Sequence, residues 1–137
     1  MSSHMVLPAV ERVSAADRLV GLAAFTAGIV LLSLPFSRMV RVIAWIKRHR
    51  PRPATPQEAR TAAAAARWAG QWFPGRAACL ENSVAAVLAA AIRGRAVHWC
   101  VGGRLAPYST HAWIETDTGP AGEPANPDRP YLTLLRI

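Results

Sequence analysis

The chain has 137 residues, with 16 Lys+Arg against 8 Asp+Glu, two Cys and five Trp. That length holds one domain with a core of its own, and two cysteines exclude both a disulfide-stapled secreted scaffold and a four-thiolate metal site. A hydrophobic content of 52% against 18% charged excludes a disordered chain.

The net charge of +8 is unevenly placed. Residues 1–37 and 79–137 are each neutral. Residues 38–60 carry Arg38, Arg41, Lys47, Arg48, Arg50, Arg52 and Arg60 against Glu58 alone, a surplus of +6 (7 − 1). Such a run is read by an anionic surface, whether nucleic acid, membrane face or acidic protein, or it is a solvated helix face and linker. Only Trp45 interleaves it, which argues against single-strand nucleic-acid binding.

Residues 1–5, MSSHM, read as an expression scar or alternative start. Ser14 with Asp17 resembles a capping box ahead of a helix over about 15–33. Leu19 to Phe36 is uncharged and near membrane-spanning length, but Gly21, Thr26, Gly28, Ser33 and Pro35 dilute it. The expectation is a packed helix with weak or no membrane association. No signal peptide is recognisable, so the expected location is the cytoplasm.

A second helix is expected from a Ser37 cap to about His49, with Met39, Val42, Ile43 and Ile46 as its apolar stripe. Pro51, Pro53 and Pro56 then make an extended basic linker. Thr55-Pro56-Gln57-Glu58 predicts a strong helix start, and the Ala-rich run 57–72 a third helix. A fourth runs over about 77–93, with Gly94 at the left-handed cap position. Beyond it Arg95–Val101, Thr110–Asp117 and Tyr131–Ile137 read as strands. Helices followed by a small antiparallel sheet make an α+β fold, divided as an N-terminal helical region and linker at 1–56 and a core at 57–137.

Cys79 falls in the first turn of the fourth helix, where unpaired N–H groups favour a thiolate. Arg76 stands one turn earlier. His111 opens the segment His-Ala-Trp-Ile-Glu, in which His111, Trp113 and Glu115 share a face of one strand. A Cys–His pair is the chemistry of a nucleophile with its base. A third group orients the imidazole, and Glu123 and Asp128 are both candidates by position. Cys100 reads as core, Ser83 as a local hydrogen-bonding residue, His98 as structural, and Gln71 and Trp72 as packing residues. No ligand spacing supports zinc, and no cofactor is expected.

Cys-Leu-Glu-Asn-Ser at 79–83, His-Ala-Trp-Ile-Glu at 111–115 and Gly-Glu-Pro at 122–124 together resemble the lasso-peptide leader peptidases. These are small members of the transglutaminase-like cysteine-protease superfamily. The resemblance covers about residues 57–137. It implies a transglutaminase-like, papain-like core with Cys79 as nucleophile, His111 as base and Glu123 as the acid, where many members have Asp. It implies leader removal from a ribosomally made precursor, before an asparagine-synthetase-like cyclase closes the ring. The chain shows no added leader-binding domain, so the resemblance points to the peptidase half of a split pair, its leader presented by a separate small leader-binding protein. Two other readings compete: an acyltransferase or transglutaminase with the same triad, and a non-enzymatic membrane-associated or nucleic-acid-binding adaptor built on the 15–50 helices and the basic run at 38–60.

Overall fold

The computed structural model describes residues 12–50, 52–73, 79–105, 108–122 and 131–137. Helix α1 (Ala15–Leu32) starts as expected, with the Ser14 hydroxyl accepting from the Asp17 backbone N–H at 3.1 Å. One face of α1, formed by Gly21, Ala24, Phe25, Gly28 and Leu31, is buried against the next two helices in the stack. By length and composition α1 is apolar enough to cross a membrane. Leu19 and Val30 remain exposed on its far side.

Helix α2 (Phe36–Arg48) begins one residue before the expected Ser37 cap and has no side-chain cap. Pro35 sets the start instead: its extended ψ turns the chain, and its carbonyl accepts from Arg38 and Met39. Met39 and Ile43 are buried, while Arg38, Arg41 and Arg48 point to solvent. The Pro-rich linker is more than a spacer. Arg52–Pro53 forms β1, paired in parallel with β2 (Arg95–Ala96), and the Ala54 N–H bonds the Ala96 carbonyl at 2.9 Å.

Helix α3 (Pro56–Gly70) opens on a complete capping box between Thr55 and Glu58. The Glu58 carboxylate also holds Arg95 at 2.6 Å, which ties the helix start to β2. Helix α4 (Cys79–Ile92) ends at Gly94, which takes φ +75°, as the cap position required. Alanines on both helices let them approach closely, and α1, α3 and α4 form one layer. At Gly21 the approach is closest: a Cβ there would lie 2.4 Å from the Ala65 carbonyl oxygen.

The sheet beneath this layer has the order β5-β4-β3-β6, all antiparallel. Its strands are β3 (His98–Leu105), β4 (Tyr108–Thr116), β5 (Gly119–Ala121) and β6 (Leu132–Arg136). The strand expected to end at Val101 continues: β3 runs through Gly102 and Gly103 and pairs with β4 from His98↔Glu115 to Leu105↔Tyr108. Gly102 is required there because a Cβ would strike the Trp113 ring at 2.6 Å. Cross-strand partners share a face, so Trp99, Ala112 and Ile114 pack under the helices. Cys100, Gly102, His111, Trp113 and Glu115 line the opposite face.

Candidate active site

Cys79 is the first described residue of α4, a free thiol, half-buried and packed against the core. Backbone N–H groups in the first turn of a helix have no helical carbonyl to satisfy them. Arg76, its expected helper, lies outside the described residues. One turn on, the buried Ser83 hydroxyl donates to the Leu80 carbonyl at 3.0 Å, the local bond expected of it. It also accepts from the Trp99 indole N–H at 3.0 Å, which pins α4 to the first residues of β3. Asn82 was missed by sequence reasoning. Its Oδ1 is buried with no hydrogen-bond partner among the described residues. An amide on a helix gives no signal of this in sequence.

His111 sits near the start of β4, opposite Gly102. Its ring stacks on Trp113 at 5.8 Å between centroids and meets Tyr131 at 5.2 Å. Trp113 donates its indole N–H to Glu115 at 2.9 Å, and Glu115 pairs with Arg136 at 3.2 Å. The shared face expected for His111, Trp113 and Glu115 is therefore a continuous row, extended by Tyr131. Arg104 stacks on the Tyr131 ring at 5.0 Å and donates to Ser109 at 2.9 Å. Ser109 in turn donates to the Tyr131 hydroxyl at 3.3 Å. Tyr131 stands 20 residues after His111, beyond the reach of any periodicity argument.

Glu123 and Asp128 both lie outside the described residues. The chain leading to them is held at Gly122, whose carbonyl accepts from Arg67 and whose φ is +69°. Cys100 is fully buried behind Trp113, as expected of a core residue. Burial, reinforced by the neighbouring Glu115 charge, pushes its thiol up to about 11.

Two expectations change. Gln71 and Trp72 do not pack: α3 ends at Gly70, both residues are exposed, and Trp72 touches Trp68 edge-on at 6.1 Å. His98 does more than fill space. Lys47 donates to its Nδ1, which leaves Nε2–H to donate to Asp117 at 3.0 Å. Burial lowers the Lys47 pKa, with Arg136 acting in the same sense. The hydrogen bond from His98 holds the Asp117 carboxyl below the ordinary range. Residues 51 positions apart in sequence meet in this chain, so spacing carried no trace of it. Among the described residues no cluster of His, Cys, Asp and Glu is placed to hold a metal.

Compared with known families, residues 21–136 match the transglutaminase-like superfamily. The chain belongs to that superfamily. No curated relative and no solved structure shows significant similarity to it. The transglutaminase-like superfamily includes cysteine peptidases and acyltransferases, so an enzyme using a cysteine nucleophile is consistent with this fold. Within the matched region, α4 opens on one of its two cysteines and β4 opens close to His111.

Proposed function

We propose that this protein is a cysteine peptidase that removes the leader from a lasso-peptide precursor in the cytoplasm. A separate small leader-binding protein presents the leader, and an asparagine-synthetase-like cyclase acts next. The observation that carries the reading is a transglutaminase-like chain with a free, half-buried cysteine on its sheet-packed helix, as the first described residue of that helix. The Cys-Leu-Glu-Asn-Ser and His-Ala-Trp-Ile-Glu segments supply the finer assignment.

Chain geometry puts Cys79 and His111 towards one end of the stack. The Ser83–Trp99 bond is a common reference point. Cys79 lies four residues back along α4, roughly 6 Å at the helical rise. His111 lies three residues back along β4 from Ile114, the partner of Trp99, roughly 10 Å. The chain reverses between α4 and β3 and again between β3 and β4, so both steps lead towards the same end of the stack. His111 leaves β4 on the face opposite Ala112 and Ile114, which pack under the helices, so pairing with Cys79 requires the imidazole to reach round the end of the sheet.

In the mechanism, His111 takes the thiol proton as Cys79 Sγ attacks the scissile carbonyl. The backbone N–H of Cys79 donates to the resulting oxyanion. The tetrahedral adduct expels the amine, which leaves with the proton from the imidazolium. His111 then deprotonates a water that attacks the thioester; the leader carboxylate departs and the thiol is restored. Glu123 orients the imidazole, with Asp128 as the other candidate.

The test is precursor, leader-binding protein and this chain, followed by mass spectrometry. Wild type is expected to yield leader and core with one added water, and Cys79→Ala to yield neither. Equal cleavage by the two proteins refutes the mechanism. Adducts with an added primary amine, in place of free carboxylate, assign the chain to acyl transfer.

A further inference from the structure

The edge strand β6 combines features that the triad does not use. It ends the sheet order, and its outer side pairs with no strand among the described residues. Leu132 and Leu134 are 71% and 67% exposed. Natural edges of this kind are normally covered or charged, because their unpaired N–H and C=O groups template another strand. Ile137 exchanges both backbone bonds with Trp99, so the N–H and C=O of Arg136 face the open side.

The two ends of this edge differ. At the start, Tyr131 lies against His111. At the far end, Ile137 lines a cleft with Arg41, Ala44, Trp45, Lys47 and Arg48. No Asp or Glu side chain lines that cleft, and Arg41 and Arg48 have no ion pair among the described residues. Trp45 is 54% exposed beside them. The distance from Leu132 to Ile137 is five residue steps, roughly 17 Å of extended chain.

We propose that the open edge of β6 is the peptide-binding site, where an extended substrate adds as a further strand and sets an acidic side chain in the Arg41–Arg48 cleft. The inference rests on the peptidase reading and names its substrate class. The peptide is extended, has alternate apolar residues to cover Leu132 and Leu134, and carries an acid about five residues from the scissile bond. Backbone pairing supplies affinity, and the cleft supplies register.

The experiment uses the full chain carrying Cys79→Ala and fluorescein-labelled decapeptides of alternating Thr and Leu. One set ends in Asp-Glu at the N-terminus and one at the C-terminus, with Lys-Lys counterparts. At least one acidic set is expected to bind about tenfold or more tighter than its lysine counterpart. Backbone N-methylation at alternate positions of that peptide is expected to weaken it about tenfold, because it removes the pairing donors. In the protein, Arg136→Pro removes an outward N–H that β3 does not use, whereas Arg136→Ala removes only the side chain. Arg136→Pro is expected to weaken binding about tenfold beyond Arg136→Ala. Arg41→Glu with Arg48→Glu is expected to abolish the preference for acid over lysine. Equal binding by N-methylated peptide, or by the Pro and Ala variants, overturns strand addition. So does an edge occupied by a second copy of the chain, seen as a dimer that peptide does not dissociate. Wild type that cleaves precursor equally well with and without Arg136→Pro overturns strand addition and leaves the peptidase reading intact. Peptide binding with this full pattern, but no cleavage by wild type, overturns the peptidase reading and leaves the strand site.

Discussion

The adjacent glycines of β3 give a sharp test of how the sheet supports His111. In Gly102→Ala the new methyl would meet Trp113 Cη2 at 2.6 Å, Trp113 Cζ3 at 2.8 Å and the Leu132 carbonyl oxygen at 2.8 Å. The ring can yield, but the carbonyl belongs to a paired strand and cannot move without shifting β6. Neither glycine has a positive φ, so the effect is steric and not conformational. Overpacking of this kind costs about 1–3 kcal/mol. At this chain length that is roughly 3–12 °C in Tm. In Gly103→Ala the nearest atom is Leu134 Cδ1 at 3.5 Å, an ordinary contact. Relief of glycine's entropy loss then makes that variant neutral or up to about 1 kcal/mol more stable. Because Trp113 stacks on both His111 and Tyr131, Gly102→Ala is also expected to slow precursor cleavage while Gly103→Ala does not. Thermal unfolding by circular dichroism reads the first effect and single-turnover cleavage the second. If the two alanine variants melt together, the packing of Trp113 over Gly102 is not what holds β3, β4 and β6 in register.

Iodoacetamide at pH 8 is expected to label Cys79 and spare Cys100, whose thiol is buried and pushed up to about 11; peptide mapping of the native protein checks this, and early labelling of Cys100 contradicts the burial. Because that pKa is raised on folding, Cys100 contributes stability below the unfolded thiol value and loses it as pH rises towards 11, a loss absent from Cys100→Ala. Glu123→Gln is expected to lower turnover by about 10²-fold or more with leader affinity unchanged, and Asp128→Asn to be mild; the reverse ranking in kcat makes Asp128 the orienting acid. Glu58 is held below its ordinary value chiefly by the Thr55 backbone N–H. Its contribution is present above the unfolded value and lost as pH falls through the folded one, so Glu58→Ala is expected to cost about 0.5–2 kcal/mol at pH 7 and little at pH 2, by urea titration.

Much of the local chemistry was legible. The Ser14 and Thr55 caps, the turn at Gly94 and the α+β order depend on residues within a few positions of each other, and all three are found. The alternation that puts His111 and Trp113 on one face is equally local, since it follows from the pleat of a single strand. The superfamily was legible from two short segments, at Cys79 and at His111, which both lie within the matched residues 21–136. Other features are properties of approach between distant segments. Pro35 overruled Ser37 because the turn out of α1 sets where α2 begins. Gly102-Gly103 reads as a breaker, yet the strand runs through it, and at Gly102 the missing side chain is what lets Trp113 lie over β3. Lys47, His98 and Asp117 meet across two layers, and Tyr131 reaches His111 only because β6 returns beside β3 and not at the end of the hairpin. Periodicity and capping encode what a residue does with its neighbours in the chain. Which strand lies beside which, and so which edge is left open, depends on how the helices and strands bury their apolar faces together.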